Sequence, residues 1–145
     1  MIISFDIDNT LIPYSNEFLV EERNFFSKLV EVEPIRKGTI KLFRELRKRG
    51  CEIWIYTTSL RSVTNLKITF LSYGLKPSKI INGTINQRIL KENNCSASKN
   101  ANLFGIDIHI DDSKGVEAEG IRYGFKTIII KTNDKNWVNT ILKKI

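Results

Sequence analysis

The sequence predicts an α/β fold, and three observations carry that expectation. Short apolar runs without helical spacing alternate with longer segments of helical pattern, as a parallel sheet covered on both faces requires. No internal repeat, low-complexity tract or Gly/Ser/Pro-rich linker interrupts the 145 residues. Acids and hydroxyls follow directly after the apolar runs, where ligands sit in such sheets. Together these give one domain over residues 1–145. It is a three-layer Rossmann-like sandwich with a central parallel sheet of about five strands and no separate cap domain.

Taken in order, Ile2 to about Ile7 reads as a buried strand. Ser15 or Asn16 is placed to cap a helix running to about Val30, with Phe18, Phe25, Phe26 and Leu29 on or near one face. Pro34 leads into a second helix carrying Ile40, Phe43 and Leu46, stopped by Gly50. Glu52 to Tyr56 is a strand, and Ser62 to Tyr73 a helix ended by Gly74. Lys79 to Asn82 is a short strand. Residues 83–96 mix β-branched and helix-forming types and stay ambiguous. Asn100 to Phe104 is a short helical stretch, Ile106 to Ile110 and Thr127 to Lys131 are strands, and Asn133 to Ile145 closes as a helix.

Composition narrows the setting. Apolar residues at 41 % and charged residues at 27 % are ordinary for a globular chain. No signal-peptide pattern precedes the first strand, and no apolar stretch reaches the ~18 residues of a membrane span, so a soluble, cytoplasmic protein is expected. Cys51 and Cys95 form no C-x-x-C pair and read as free thiols. The formal charge of +7 favours an anionic partner, a phosphorylated small molecule or nucleic acid. That charge is uneven. Glu17, Glu21, Glu22, Glu31 and Glu33 dominate one stretch, and Arg36, Lys37, Lys41, Arg44, Arg47, Lys48 and Arg49 dominate the next.

The chemistry-bearing residues converge on one edge. The first strand runs into Asp6-Ile7-Asp8-Asn9-Thr10, the second into Thr57-Thr58-Ser59, and the fourth into Asp111-Asp112. Phosphoryl transfer needs such a set. A carboxylate nucleophile approaches an anionic phosphoryl group only when a hard cation, usually Mg2+, neutralises the charge through oxygen ligands such as Asp6 and Asp111. A second carboxylate at i, i+2 then serves as general acid and base. Hydroxyls and a lysine hold the remaining oxygens. An EF-hand reading, with Glu17 as the last ligand, fails because Leu11 stands where the turn glycine belongs and a strand precedes the loop.

On these residues the chain resembles the haloacid dehalogenase-like (HAD) hydrolase superfamily. The D-x-D-x-T motif lies in Phe5-Asp6-Ile7-Asp8-Asn9-Thr10-Leu11, the strand-closing hydroxyl is Thr57, and the acidic pair follows Ile110. The resemblance implies a phosphatase with Asp6 as nucleophile and Asp8 as general acid/base, Asp8 also lending its backbone carbonyl to Mg2+. It implies Thr57 at the phosphoryl group, Asp111 on the metal, and Asp112 as a metal ligand through water or an orienting neighbour. The presence of Asp8 favours phosphatase or phosphotransferase chemistry, because dehalogenases of the superfamily lack an acid there. Lys99, twelve residues before Asp111, is the preferred phosphate-binding lysine, with Lys91 as its rival. Thr58 and Arg61 join as substrate-binding candidates, although a surface arginine fits Arg61 equally. His109, between Ile108 and Ile110, reads as a hydrogen-bonded structural residue.

Only Ile12 to Gly50 separates the first motif from the second strand, too little for a cap domain. An open site suits a large substrate, so a polynucleotide end or phosphoprotein stands as the alternative to a general phosphomonoester. A non-catalytic phosphate-binding module is a third reading. The sequence leaves the oligomeric state open.

Overall fold

The computed structural model describes the backbone of residues 1–145 and the side chains of all but residues 26 and 27. Five parallel strands form the sheet: β1 (Ile2–Phe5), β2 (Glu52–Tyr56), β3 (Lys79–Ile81), β4 (Ile108–Asp111) and β5 (Lys126–Ile129), in the order β3-β2-β1-β4-β5. Helices α1 (Phe25–Leu29), α2 (Thr39–Lys48), α3 (Val63–Ser72), α4 (Gly83–Glu92), α5 (Lys114–Tyr123) and α6 (Trp137–Leu142) make the crossovers and close the chain. Among the described residues no helix is long and apolar enough to cross a membrane.

The period-two alternation of a strand sorts side chains to two faces. Ile3, Phe5, Ile53, Ile55, Ile108 and Ile110 point to one core, which Leu42, Phe43 and Leu46 of α2 and Phe70 of α3 complete. The opposite face carries Trp54 and Tyr56 against Ala101, Ile106, Val116 and Phe125. Buried on that second side, Ser4 stands opposite His109 across the β1–β4 pairing. The buried part of one face is therefore apolar, and the other has polar groups running up to the strand ends.

The sheet reverses direction between β1 and β4. Successive connections run outward through β2 to β3, and the chain then crosses back to β4. Such a reversal opens a crevice outside the carboxyl ends of the two strands. Asp6 continues β1 by donating its N–H to Ile110 O at 2.9 Å, and Asp111 ends β4. The two acids flank that crevice because the strand order puts them there.

Two expectations need correction. The helix predicted from Ser15 or Asn16 to Val30 is present only as Phe25–Leu29; the placement of Phe26 on its face lies outside the described residues. The upstream chain runs through bends and irregular backbone instead, because its groups find partners across the fold. Val20 bridges Arg36, Glu21 N–H donates to Ile35 O, and the Phe18 ring lies 4.4 Å from the Arg36 guanidinium. The Glu21 carboxylate accepts from the Gly38 and Ile40 N–H groups, capping α2, whose own N-cap residue, Gly38, has no side chain to do so. The second correction is α5, which the sequence reading left unassigned. Its two internal glycines disguised it. A β-carbon on Gly120 would lie 2.8 Å from Phe125 O, so that glycine serves close packing. Residues 83–92 of the ambiguous segment are helical, with Asn82 Oδ1 accepting from Ile85 N–H.

Candidate active site

Asp6 is 6 % exposed, and its Oδ1 accepts from Lys99 Nζ at 2.5 Å. The same ammonium donates to Asp111 Oδ2 at 2.6 Å. One buried lysine thus bridges two buried carboxylates from adjacent strands. A third acid, Asp112, completes a cluster in which one oxygen from each of Asp6, Asp111 and Asp112 lies within 4.8 Å of the others.

The electrostatics of this group follow from crowding. Burial raises the Asp6 pKa; the Lys99 charge pulls it back, but burial together with the Asp111 charge outweighs that and the pKa stays raised. Burial would raise Asp111 too, but hydrogen bonding from His109 and the Lys99 charge hold it well below the usual carboxylate range. For Lys99 burial disfavours the charge, yet the two carboxylates outweigh it and its pKa is raised. Asp112 is raised by burial and then by Asp111. Such a set is electrostatically short of positive charge: three acids converge on one ammonium.

All three cluster members offer hard oxygen donors, the type magnesium takes. Opposite ligands of a ~2.1 Å octahedron stand about 4.2 Å apart. A 4.8 Å spread needs only a slight contraction to hold such an ion. The donor set fits. Asp8 contributes differently, for its Oδ1 accepts from Arg61 Nη1 at 2.8 Å.

Lys99 is placed by its neighbours on the chain. Asn100 N–H donates to Tyr56 Oη, which donates to Asn86 Oδ1; Asn86 Nδ2 donates to Ser98 O. The Glu119 carboxylate accepts from Ser98 and Lys99 N–H. Four anchors from β2, α4 and α5 thereby fix a segment without regular structure. Lys91 is exposed near the end of α4 and takes no part.

Thr57 is fully buried, and its Oγ1 accepts from Ser59 N–H at 3.1 Å, which shapes the turn after β2. Gly83 N–H donates to Ser59 O at 2.7 Å, and a β-carbon on Gly83 would overlap the Thr58 carbonyl. The start of α4 is thus pressed against this turn. Thr58 itself is exposed. Arg61 reaches across the site's mouth. Its Nε and Nη2 each donate to Glu33 at 2.8 Å, and Nη1 serves both Asp8 and Ser59 Oγ. Burial works against the Arg61 charge, but hydrogen bonds to Glu33 and Asp8 raise its pKa.

The structure brings Asp6, Lys99, Asp111 and Asp112 together, with Asp8 and Arg61 paired beside them. Sequence reasoning missed Glu33, Tyr56, Asn86, Glu119 and Tyr14. Tyr14 is 72 % exposed, and its phenol is pushed up first by the Asp8 charge and then by burial, Asp6 and Asp112. No local pattern marks these residues, because their roles come from chain crossings.

The chain matches no known family model and no curated protein. Among solved structures, one described as a predicted HAD-like family hydrolase from Porphyromonas gingivalis is similar over 99 % of this chain and 96 % of its own length, with a TM-score of 0.51 at 15 % identity. At that identity the likeness concerns architecture alone: the chain shares the α/β sandwich of that structure.

Proposed function

We propose that this chain is a magnesium-dependent phosphomonoesterase that carries the phosphoryl group on Asp6. The single observation behind this reading is the buried Asp6 carboxylate, held by Lys99 within an oxygen cluster shared with Asp111 and Asp112. Asp6, Asp111 and Asp112, with the Asp8 carbonyl, would hold the ion; when bound it supplies positive charge to the transferring group.

Asp6 attacks phosphorus, forming one P–O bond as the ester P–O bond breaks. Asp8 delivers its proton to the leaving oxygen, then takes one from the water that releases phosphate from Asp6. Arg61 engages Asp8 Oδ1, which leaves Oδ2 as the oxygen for proton transfer. Thr57 at its strand end and Lys99 offer donors to the remaining phosphoryl oxygens. Resting Lys99 neutralises the acids until substrate arrives. Cys51 and Cys95 are both free, which supports a reducing, cytoplasmic setting.

A second reading, a polynucleotide-end or phosphoprotein phosphatase, draws on the short covering segment. Residues 13–38 hold one five-residue helix and no cap, so a large substrate has access. The net charge of +7 is consistent with a polyanion.

Hydrolysis of p-nitrophenyl phosphate tests the main reading. Phosphate release should need magnesium, stop with chelator, and fall by about 10³-fold or more in Asp6→Asn. Equal release by parent and variant would reject it, and a non-catalytic module would then remain. Sugar phosphates, nucleotides and 3′- or 5′-phosphorylated oligonucleotides compared at two salt concentrations separate the substrate classes.

A further inference from the structure

His109 is the chain's one histidine and is fully buried on β4, two residues before Asp111 and on the same face of the strand. Its Nδ1 lies 2.8 Å from Ser4 Oγ, the residue opposite it on β1. Its Nε2 lies 3.0 Å from Asp111 Oδ2 and 3.2 Å from Lys99 Nζ. The Tyr56 ring packs against the imidazole with centroids 5.1 Å apart.

These contacts decide where the proton sits. A ring with its proton only on Nδ1 would turn the Nε2 lone pair onto a carboxylate oxygen at 3.0 Å, setting two acceptors face to face. With the proton on Nε2, the ring donates to Asp111, and the Ser4 hydroxyl donates to Nδ1. Ser4 can serve either arrangement, so Asp111 is the discriminating partner. An Nδ1–H ring would take the third Lys99 proton at Nε2 over 3.2 Å, but it would still set its lone pair against Asp111 Oδ2 at the shorter 3.0 Å, so the geometry favours the proton on Nε2. Lys99 then approaches Nε2 only because both groups donate to the same oxygen, and the ammonium's two strong bonds go to Asp6 and Asp111.

We propose that His109 is a positioning residue that fixes the Asp111 carboxylate through its Nε2–H, so that Lys99 can leave Asp111 without the carboxylate turning. Asp111 Oδ1 is held by Ser113 N–H at 2.8 Å and Oδ2 by His109 and Lys99. When a phosphoryl group draws Lys99 away, His109 is the side-chain donor that stays on Oδ2. The ring is itself backed by Ser4, giving a buried relay from β1 to the acid. Outer partners of this kind set the orientation and affinity of a ligand carboxylate. Only the magnesium arm of the test rests on the phosphatase reading.

A single histidine makes the first arm direct. In metal-free protein carrying ¹⁵N-labelled histidine, long-range ¹H–¹⁵N spectra should show one ring with a slowly exchanging Nε2 proton. An Nδ1–H tautomer, or a ring averaged between tautomers, would overturn the assignment. In the second arm, calorimetric magnesium titration should show about 10-fold weaker binding in His109→Leu. His109→Gln, whose amide keeps a donor, should recover most of that loss, and Ser4→Ala should lose about threefold. Thermal melts of each variant report the structural cost separately. Unchanged magnesium affinity in a folded His109→Leu would reduce the residue to core packing and sink the proposal; if that variant does not fold, parent-like affinity in Ser4→Ala does the same. If the parent binds no magnesium, the phosphatase reading falls, and the spectrum alone decides His109.

Discussion

Two cations lie buried near the carboxyl edge of the sheet, Arg36 at 2 % and Lys99 at 3 % exposure, and they are held in opposite ways. Arg36 donates to the carbonyls of Lys131, Thr132 and Asp134 at 3.0 Å, and its guanidinium lies over the rings of Phe18 and Trp137 at 4.4 and 4.8 Å. Burial pulls its pKa down to about 10, and the Asp134 charge offsets that only in part. Lys99 instead faces two carboxylates, and its pKa is raised. Dipoles and aromatic faces stabilise a charge while asking nothing of it. Carboxylates from two strands leave a net negative site that a metal or a rearranged lysine can answer. Burial of charge alone therefore says little about function; the partner does.

Replacing each cation should break or sharpen this contrast, and Lys99→Met should do most. We expect kcat/KM to fall by about 10²–10³-fold, as when a donor to a transferring group is removed. The metal-free variant should lose about 3–5 kcal/mol, because Asp6 and Asp111 are left facing each other. The pH dependence has a definite sign. Without Lys99 the already raised Asp6 pKa climbs further and Asp111 keeps His109 but loses the ammonium that helped hold it down, so both carboxylates shift upward and the deficit stands at neutral pH. It shrinks as pH falls through those raised values toward the ordinary carboxylate range. Melting temperatures of parent and variant from pH 5 to 8 measure it, and magnesium should narrow the gap at pH 8. A gap constant across pH would show that charge repulsion is not its cause.

Arg36→Met should come next, with a loss of about 3 kcal/mol from carbonyls stripped of their donor. Its kcat and KM, measured well below the melting transition, should stay within about twofold of the parent. Loss of turnover in folded Arg36→Met would erase the distinction between the two cations.

Arg61 is the intermediate case, paired with Asp8 and Glu33 but 27 % exposed. Solvent screening keeps the stability cost of Arg61→Met to about 1 kcal/mol or less. Activity should fall by about 10-fold, since Asp8 loses the donor that orients it. The smallest effect should come from Glu33→Gln, about threefold in kcat/KM, because Arg61 keeps its bonds to Asp8 and Ser59. A Glu33→Gln loss equal to that of Arg61→Met would make Glu33 itself part of the site.

Much of the fold was legible because strand signals such as Ile53 to Tyr56 and Ile108 to Ile110 are local and strong. The acids were legible for the same reason, since Asp6 and Asp111 terminate those runs. The predicted helix before Val30 misled because its aromatic spacing is met by distant partners: Phe18 goes to Arg36, and Phe25 and Leu29 stay 74 % and 70 % exposed. The two glycines inside α5 weaken its helical signal, and the approach of Phe125 and Thr127 is why Gly120 is there.

The order of residues along the chain was enough to place the five strands to within about two residues at each end, since a short apolar run between polar residues marks its own position. Only tertiary structure decided that β4 lies beside β1, which sets Asp111 next to Asp6 and His109 next to Ser4. It also set Lys99, and not Lys91, against Asp6 and Asp111, through Tyr56, Asn86 and Glu119, which no spacing along the chain connects. Strand pairing and side-chain anchoring act between residues far apart in sequence, and their energies exist only once the chain has folded.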